Sequence, residues 1–201
     1  MSLKTSYRFI APFYDAFLDR GIAANIRRRS LSTLAQQGRG RVLLSGVGTG
    51  LDFPFLPPHH DYTALDLTGA MLARARPRAR DLRMQMVQGD SMVLPFTDAS
   101  FDYVVLHLIV AVVPQSQRCL AEAARVLKPG GRILLFDKFL RRGERAWLRR
   151  SLSPLVGLLA TRLDVVFEDV LETVPRLHVL SDQPALVRGW FRLIELQKEE
   201  A

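Results

Sequence analysis

The stretch "VLLSGVGTG", Val42 to Gly50, sets three glycines at every second position directly after an apolar run. Glycine costs conformational entropy, so it persists where φ must be positive or where a side chain would collide with something. At the end of a buried strand, that something is a ligand held close to the backbone. The spacing is G-x-G-x-G rather than G-x-G-x-x-G. A pyrophosphate needs the longer turn and a clean helix start, and here Pro54, Pro57 and Pro58 interrupt the helix that would come next. A group smaller than a dinucleotide fits the turn better, which disfavours a nicotinamide-dependent oxidoreductase.

Outward from this turn, strand-like and helix-like segments alternate. "RVLLSG", "DYTALDL", "RMQMVQGD", "FDYVVLHLIV" and "RILLFDKFL" read as strands, while "MLARARPRARDL" and "QRCLAEAARVLKPGG" read as helices, the second stopping at its Pro-Gly-Gly. Such alternation makes a parallel sheet with helices on both faces. Residues 3–37 read as amphipathic helix broken near Pro12 and Gly21. The segment from Ala146 to Val174 reads as helical pieces. "RLHVLSD" and "WFRLIELQK", joined by "QPALVRG", read as an antiparallel pair. The expected organisation is one domain over 1–201: a helical lid (1–40), a cofactor-binding core (41–140), and C-terminal helices with a strand hairpin (141–201).

Composition bounds the function. The 201 residues, 48% of them apolar, suffice for a core without disulfides. One cysteine, Cys119, and four histidines without H-x-x-x-H spacing point to no metal centre. No apolar signal core opens the chain, and "YVVLHLIVAVV" is too short to cross a bilayer, so a cytoplasmic setting is expected. The net charge of +8 gathers in "IRRRS", "RARPRARDLR" and "RRGERAWLRR". These read either as solvated helix faces or as a weak affinity for an anionic membrane surface, at the inner face of the membrane. No nucleic-acid-binding signature accompanies them.

Asp66 ends the strand "YTALD", twenty residues after Gly46, where an acid accepts the two hydroxyls of a ribose. Glycine turn and strand-end acid together point to an adenosine-containing cofactor. With "YTALDLTGAMLARAR", "MQMVQGDSMVLPFTDASFDYVV" and "CLAEAARVLKPGGRILLFD" arranged in that order, the chain from Arg41 to Asp137 resembles the class I S-adenosylmethionine-dependent methyltransferases. Within them it is similar to the methyltransferase type 11 branch, which holds quinone C-methyltransferases and bacterial phosphatidylethanolamine N-methyltransferases. "APFYD", Ala11 to Asp15, resembles that branch's N-terminal signature.

The resemblance implies a Rossmann-like α/β fold, a seven-stranded sheet in the order 3-2-1-4-5-7-6 with strand seven antiparallel, and S-adenosyl-L-methionine as cofactor. It places Gly46, Gly48 and Gly50 against the methionine part, Asp66 on the ribose, Leu67 and Met71 beside the adenine, and Asp90 on the adenine amino group. Ser91 and Met92 would flank Asp90, and Tyr14 would belong to the lid over the cofactor. For Asp66 and Asp90, helix N-capping is the competing reading. One position departs from the pattern: the acid two residues before the first glycine, which anchors the cofactor's ammonium, is Leu44. Asp15 or Asp52 could take its place. The loss also leaves open other chemistry with the same cofactor, or binding without catalysis.

Methyl transfer demands no particular base, so the catalytic candidates come from position alone: Tyr14, Asp15 and His107, with Asp137 and Lys138 at the end of the fifth strand. His107 reads either as a satisfied core histidine or as a group at the cofactor and acceptor. Asp137-Lys138 reads as no more than a surface ion pair, or as part of that site. The apolar lid and "WLRRSLSPLVGLLATRL" suggest a small apolar or lipid-like acceptor, a quinone-like ring or an aminolipid.

Overall fold

The computed structural model describes residues 22–143, 165–186 and 189–200. The lid candidates Tyr14 and Asp15, the "APFYD" signature and the apolar segment 147–163 lie outside them. Seven strands form one sheet: β1 (Arg41–Ser45), β2 (Asp61–Asp66), β3 (Met84–Gln88), β4 (Phe101–His107), β5 (Leu127–Lys138), β6 (Leu177–Leu186) and β7 (Phe191–Lys198). Their order is β3-β2-β1-β4-β5-β7-β6, as the resemblance implies. β7 runs antiparallel to both of its neighbours, and the remaining pairs are parallel. The helices are α1 (Ile22–Ala35), α2 (Gly69–Ala75), α3 (Ser116–Val126) and α4 (Phe167–Leu171).

Side chains of a strand alternate between faces, and both faces here are covered, so β1 is apolar at every interior position. Leu43 points with Leu65, Val104, Leu106, Ile133 and Leu135 into the core beneath α3 and α4. Val42 and Leu44 point the other way, with Ala64, Val105 and Leu134, against Leu31 and Leu34 of α1.

Two elements differ from their sequence patterns. The helix carrying "CLAEAARV" ends at Val126, and Leu127-Lys128-Pro129-Gly130-Gly131 is the beginning of β5. A bulge between Phe101 and Tyr103 absorbs the extra residues, and a Cβ on Gly131 would lie 2.8 Å from the Asp102 carbonyl oxygen. The glycine serves close strand approach rather than a helix stop. Likewise β6 runs through Gln183, Pro184 and Ala185, which read as a connection; a proline is tolerated there because β6 is an edge strand.

Arg192 ties this edge together. Its buried guanidinium donates to both carboxylate oxygens of Asp182 (3.0 and 2.6 Å) and to Glu168 (2.8 Å), above the Phe167 ring.

Candidate active site

The glycine turn lies where β1 ends, between the carboxyl ends of β2 and β4. The amides of Gly46 and Val47 donate to the Leu65 carbonyl (2.8 and 3.1 Å), which curls the turn over the end of β2. Its glycines have different roles. Gly46 has φ +78°, and a Cβ there would sit 2.7 Å from the Ile109 side chain, so this glycine lets the loop after β4 close on the turn. Gly48 has φ +53°, yet a Cβ there would meet nothing within 4 Å. Its bare face opens on empty space, which is where a ligand lying along the backbone would need it.

Asp66 faces the same turn. Its Oδ2 accepts the Gly48 amide (2.8 Å) and its Oδ1 the Thr68 amide (2.9 Å), so the carboxylate is fixed by backbone on both sides. Helix capping does not explain it: the N-cap of α2 is Thr68. Leu67 is exposed and Met71, one turn into α2, is buried. Asp90 accepts the Met92 amide on Oδ1 (2.8 Å), and buried Ser91 accepts the Ser45 hydroxyl (2.8 Å), joining this loop to the end of β1. Gly48, Asp66, Leu67, Met71, Asp90, Ser91 and Met92 are therefore arranged along the carboxyl ends of β1, β2 and β3. An open glycine face and carboxylates whose positions are locked fit an adenosine whose hydroxyls and amino group donate.

The other end of the turn is built differently. Leu44 is buried in an apolar cluster with Leu31, Leu34, Phe53, Ala64 and Val105. A carboxylate, Asp52, lies in the turn after Gly50. His107 Nδ1 lies 2.9 Å from Asp52 Oδ1, and Arg27 Nε lies 3.1 Å from the same oxygen. Burial alone would raise the Asp52 carboxyl, but His107 and Arg27 outweigh it and hold it below its ordinary value. On its far side, His107 Nε2 lies 2.9 Å from the Ser30 hydroxyl. The His107 ring also meets the Phe136 ring edge-on, with centroids 5.8 Å apart.

This corrects the reading of "IRRRS" as one solvated face. Arg28 and Arg29 are exposed, but Arg27 is buried at 5% exposure. Sequence reasoning missed Arg27 and Ser30, although a signal existed. The buried positions of α1 are Ala23, Ile26, Leu31 and Leu34, and Arg27 stands in that apolar stripe. The arginines at 74, 76, 78, 80 and 83 are all exposed, as a solvated face requires; Arg78 reaches back to the Thr49 carbonyl at 2.9 Å.

Asp137 is not part of a surface pair. It is fully buried, with Oδ2 accepting the Ala111 amide (3.0 Å) and Oδ1 its neighbour Lys138's amide (2.8 Å), so it pins the loop after β4 to β5. Burial pushes its carboxyl up to about 6, against the pull of those amides and of Lys138. Cys119 is buried and its thiol is pushed up to about 12 by burial, which leaves it no nucleophilic role. Beside His107, an apolar patch of Ile26, Phe136 and Leu193 with half-buried Leu108, Ala185, Leu186 and Phe191 closes the ends of β4, β5 and β7.

Residues 43–135 match the family described as methyltransferase domain. The chain is 34% identical over 182 residues to a phosphatidylethanolamine N-methyltransferase of Cereibacter sphaeroides, covering 88% of this chain and 89% of that one. It is 43% identical over 145 residues to a ubiquinone/menaquinone biosynthesis C-methyltransferase of Methylobacterium nodulans, covering 65% of this chain and 57% of that enzyme. Among solved structures, the [4+2]-cyclase SpnF superposes with a TM-score of 0.76 at 17% identity, covering 98% of this chain and 95% of that one. A possible histamine N-methyltransferase of Thermotoga maritima gives 0.66 at 19%, covering 97% and 99%. At such identities the structures speak for the fold alone.

Proposed function

The chain belongs to the class I S-adenosylmethionine-dependent methyltransferases, and we propose that its acceptor is the primary amine of an aminolipid. The observation that carries this reading is the match to the phosphatidylethanolamine enzyme, which runs through nearly the whole of both chains. The quinone enzyme matches across a shorter span, about half of its own length, although at higher identity. A quinone-like ring is therefore the second reading.

When bound, the cofactor supplies a methyl group on a sulfonium, open to in-line attack. The chain's part is to hold and orient. Asp66 would accept the ribose hydroxyls, Leu67 and Met71 would flank the adenine, and Asp90 would accept its amino group. Ser91 and Met92 would shape that edge. Gly46 and Gly50 would set the turn, and bare Gly48 would admit the methionine portion. Tyr14 would close the lid. In place of an acid at Leu44, the Asp52 carboxylate would take the ammonium. Arg27 and His107 support this by keeping that carboxylate ionised.

No helix among the described residues is long and apolar enough to cross a membrane. The exposed arginines of α1 and of the segment after α2 would bring the protein to an anionic lipid surface, each basic side chain near it adding about 1 kcal/mol. The test is transfer of labelled methyl from S-adenosylmethionine into vesicles of phosphatidylethanolamine with an anionic lipid, at low and high salt, beside a demethylated quinone. Label on the lipid amine, falling with salt, is the expected result. Label on the ring alone would move the assignment to the quinone.

A further inference from the structure

Asp52, His107 and Ser30 come from three separated stretches of chain and meet in one line, Oδ1 to Nδ1 and Nε2 to Oγ, both links 2.9 Å. A carboxylate can only accept, so Nδ1 of the neutral ring must carry the proton that Asp52 receives. Nε2 is then a bare lone pair, and the Ser30 hydroxyl must be the donor. The imidazole is thus held in one tautomer and one orientation. Arg27 in turn pairs with Asp52, so the ring cannot rotate without giving up its bonds to a carboxylate that is itself held in place.

A structural histidine needs none of this. His60, fully buried, ties the Gly40 amide (2.9 Å) to the Leu34 carbonyl (2.9 Å) and shows how the fold satisfies a ring with backbone alone. His107 differs in its place. The register Leu44↔Val105, carried two residues further, brings it level with Gly46 at the cofactor turn. On its other side begins the apolar patch around Phe136. The His107 ring therefore stands between Asp52 of the glycine turn, at Nδ1, and Phe136 of the apolar patch, with Nε2 turned to Ser30 of α1.

We infer that His107 Nε2 is the base that takes the proton from the acceptor's ammonium, with Asp52 and Arg27 as positioning residues and the Ser30 hydroxyl occupying the place of the acceptor nitrogen. The inference rests on the aminolipid reading. An ammonium has no lone pair and cannot attack. One N–H proton passes to Nε2, giving an imidazolium that Asp52 stabilises. The freed pair forms the N–C bond as the C–S bond breaks, and that bond's electrons stay on sulfur. The products are a methylated ammonium and neutral S-adenosylhomocysteine. The charged groups facing the ring among the described residues are Asp52, from the turn after β1, and Arg27, from α1; β5 presents the Phe136 ring.

His107→Asn keeps an amide that can donate to Asp52 but has no second basic nitrogen. With phosphatidylethanolamine vesicles, kcat/KM should fall about 100-fold at pH 7. The deficit should shrink to within about threefold near pH 10, where water delivers the free amine of an alkyl ammonium unaided. A deficit constant across pH overturns the base. Nitrogen NMR of the free wild-type protein gives a reading without turnover: the neutral His107 ring should be protonated at Nδ1, and protonation at Nε2 overturns the inference even if the variant does not fold. Absence of label in any aminolipid at any pH overturns the aminolipid reading and the base with it. Label with a pH-independent variant deficit overturns the base alone.

Discussion

At the proposed adenosine end of the site, Asp66 and Asp90 give lone pairs to backbone amides a few residues away or at the facing glycine turn. At the methionine end, Asp52 is held by side chains from α1 and β4, and the strand position that should carry an acid is Leu44, packed into the core. Backbone-held carboxylates depend on the path of the chain and not on which side chains flank them. Side-chain-held ones need partners that arrive through folding. A family can keep the first kind unchanged while the second is rewired, because each partner can be replaced from a different element.

The largest effects should come from the turn that both ends share. Gly46→Val combines a positive φ with a clash against Ile109 and should cost about 4 kcal/mol of stability in chemical denaturation. Gly48→Val meets open space; it should cost only about 1–2 kcal/mol, yet lower S-adenosylhomocysteine affinity by more than about 100-fold. Equal stability losses for the two would erase the distinction between a closing glycine and a ligand-facing one.

Leu44→Glu asks whether the methionine end kept room for its old acid. Leu44 is 1% exposed among apolar side chains, so the carboxylate should cost about 3 kcal/mol and leave cofactor affinity no tighter. Tighter binding with no lost stability would mean the original pocket persists beneath the leucine.

Asp66→Ala removes the acceptor of the Gly48 and Thr68 amides as well as the proposed ribose contact. Affinity for S-adenosylhomocysteine should fall by about 1.5–3 kcal/mol in calorimetry. Unchanged affinity in a folded variant would empty the adenosine end of its assignment.

Asp137 sharpens the comparison from outside the site. It accepts backbone amides, as Asp66 does, yet full burial without a guanidinium pushes it up to about 6. A carboxyl raised on folding binds its proton more tightly in the folded state. Its stability contribution is therefore complete below the unfolded value near 4 and is lost as pH rises to about 6. The unfolding free energy of wild type should drop by about 2 kcal/mol relative to Asp137→Asn across that window. Asp52 has the opposite sign, since its carboxyl is held low, and its contribution is lost only as pH falls below about 4. A flat difference between wild type and Asp137→Asn from about pH 4 to 7 would show Asp137 to be unperturbed.

The same division decides how much could be read from the sequence. The alternation of strands and helices and the glycine turn were legible because each is a local pattern, an apolar run or a turn, while the sheet order came from the resemblance that those ordered motifs carry. The missing acid at Leu44 was legible too, as a departure from a pattern. What is proposed to replace it was only half legible. Asp52 stood out as a nearby carboxylate, but its partners Arg27 and His107 and the more distant Ser30 join it only through folding, and the arginines of α1 look alike in sequence. Only packing separates buried Arg27 from exposed Arg28 and Arg29. Asp137 misled for a related reason: next to Lys138 it reads as an ion pair, and the Ala111 amide that holds it comes from the loop after β4. The Pro-Gly-Gly after α3 carries the local signature of a helix end and was drawn instead into β5 by pairing with β4.

The most direct test of the proposed anchoring at the methionine end is the binding of S-adenosylhomocysteine and of its analogue lacking the amino group, to wild type and to Asp52→Asn, by calorimetry. Wild type should bind the analogue about 10- to 100-fold more weakly, the worth of one hydrogen bond between charged groups. In Asp52→Asn the two ligands should bind within about threefold of each other, because the negative charge that would hold the ammonium is gone. A gap as wide in Asp52→Asn as in wild type would mean that the ammonium is held elsewhere, and that Asp52 does not replace the acid missing at Leu44.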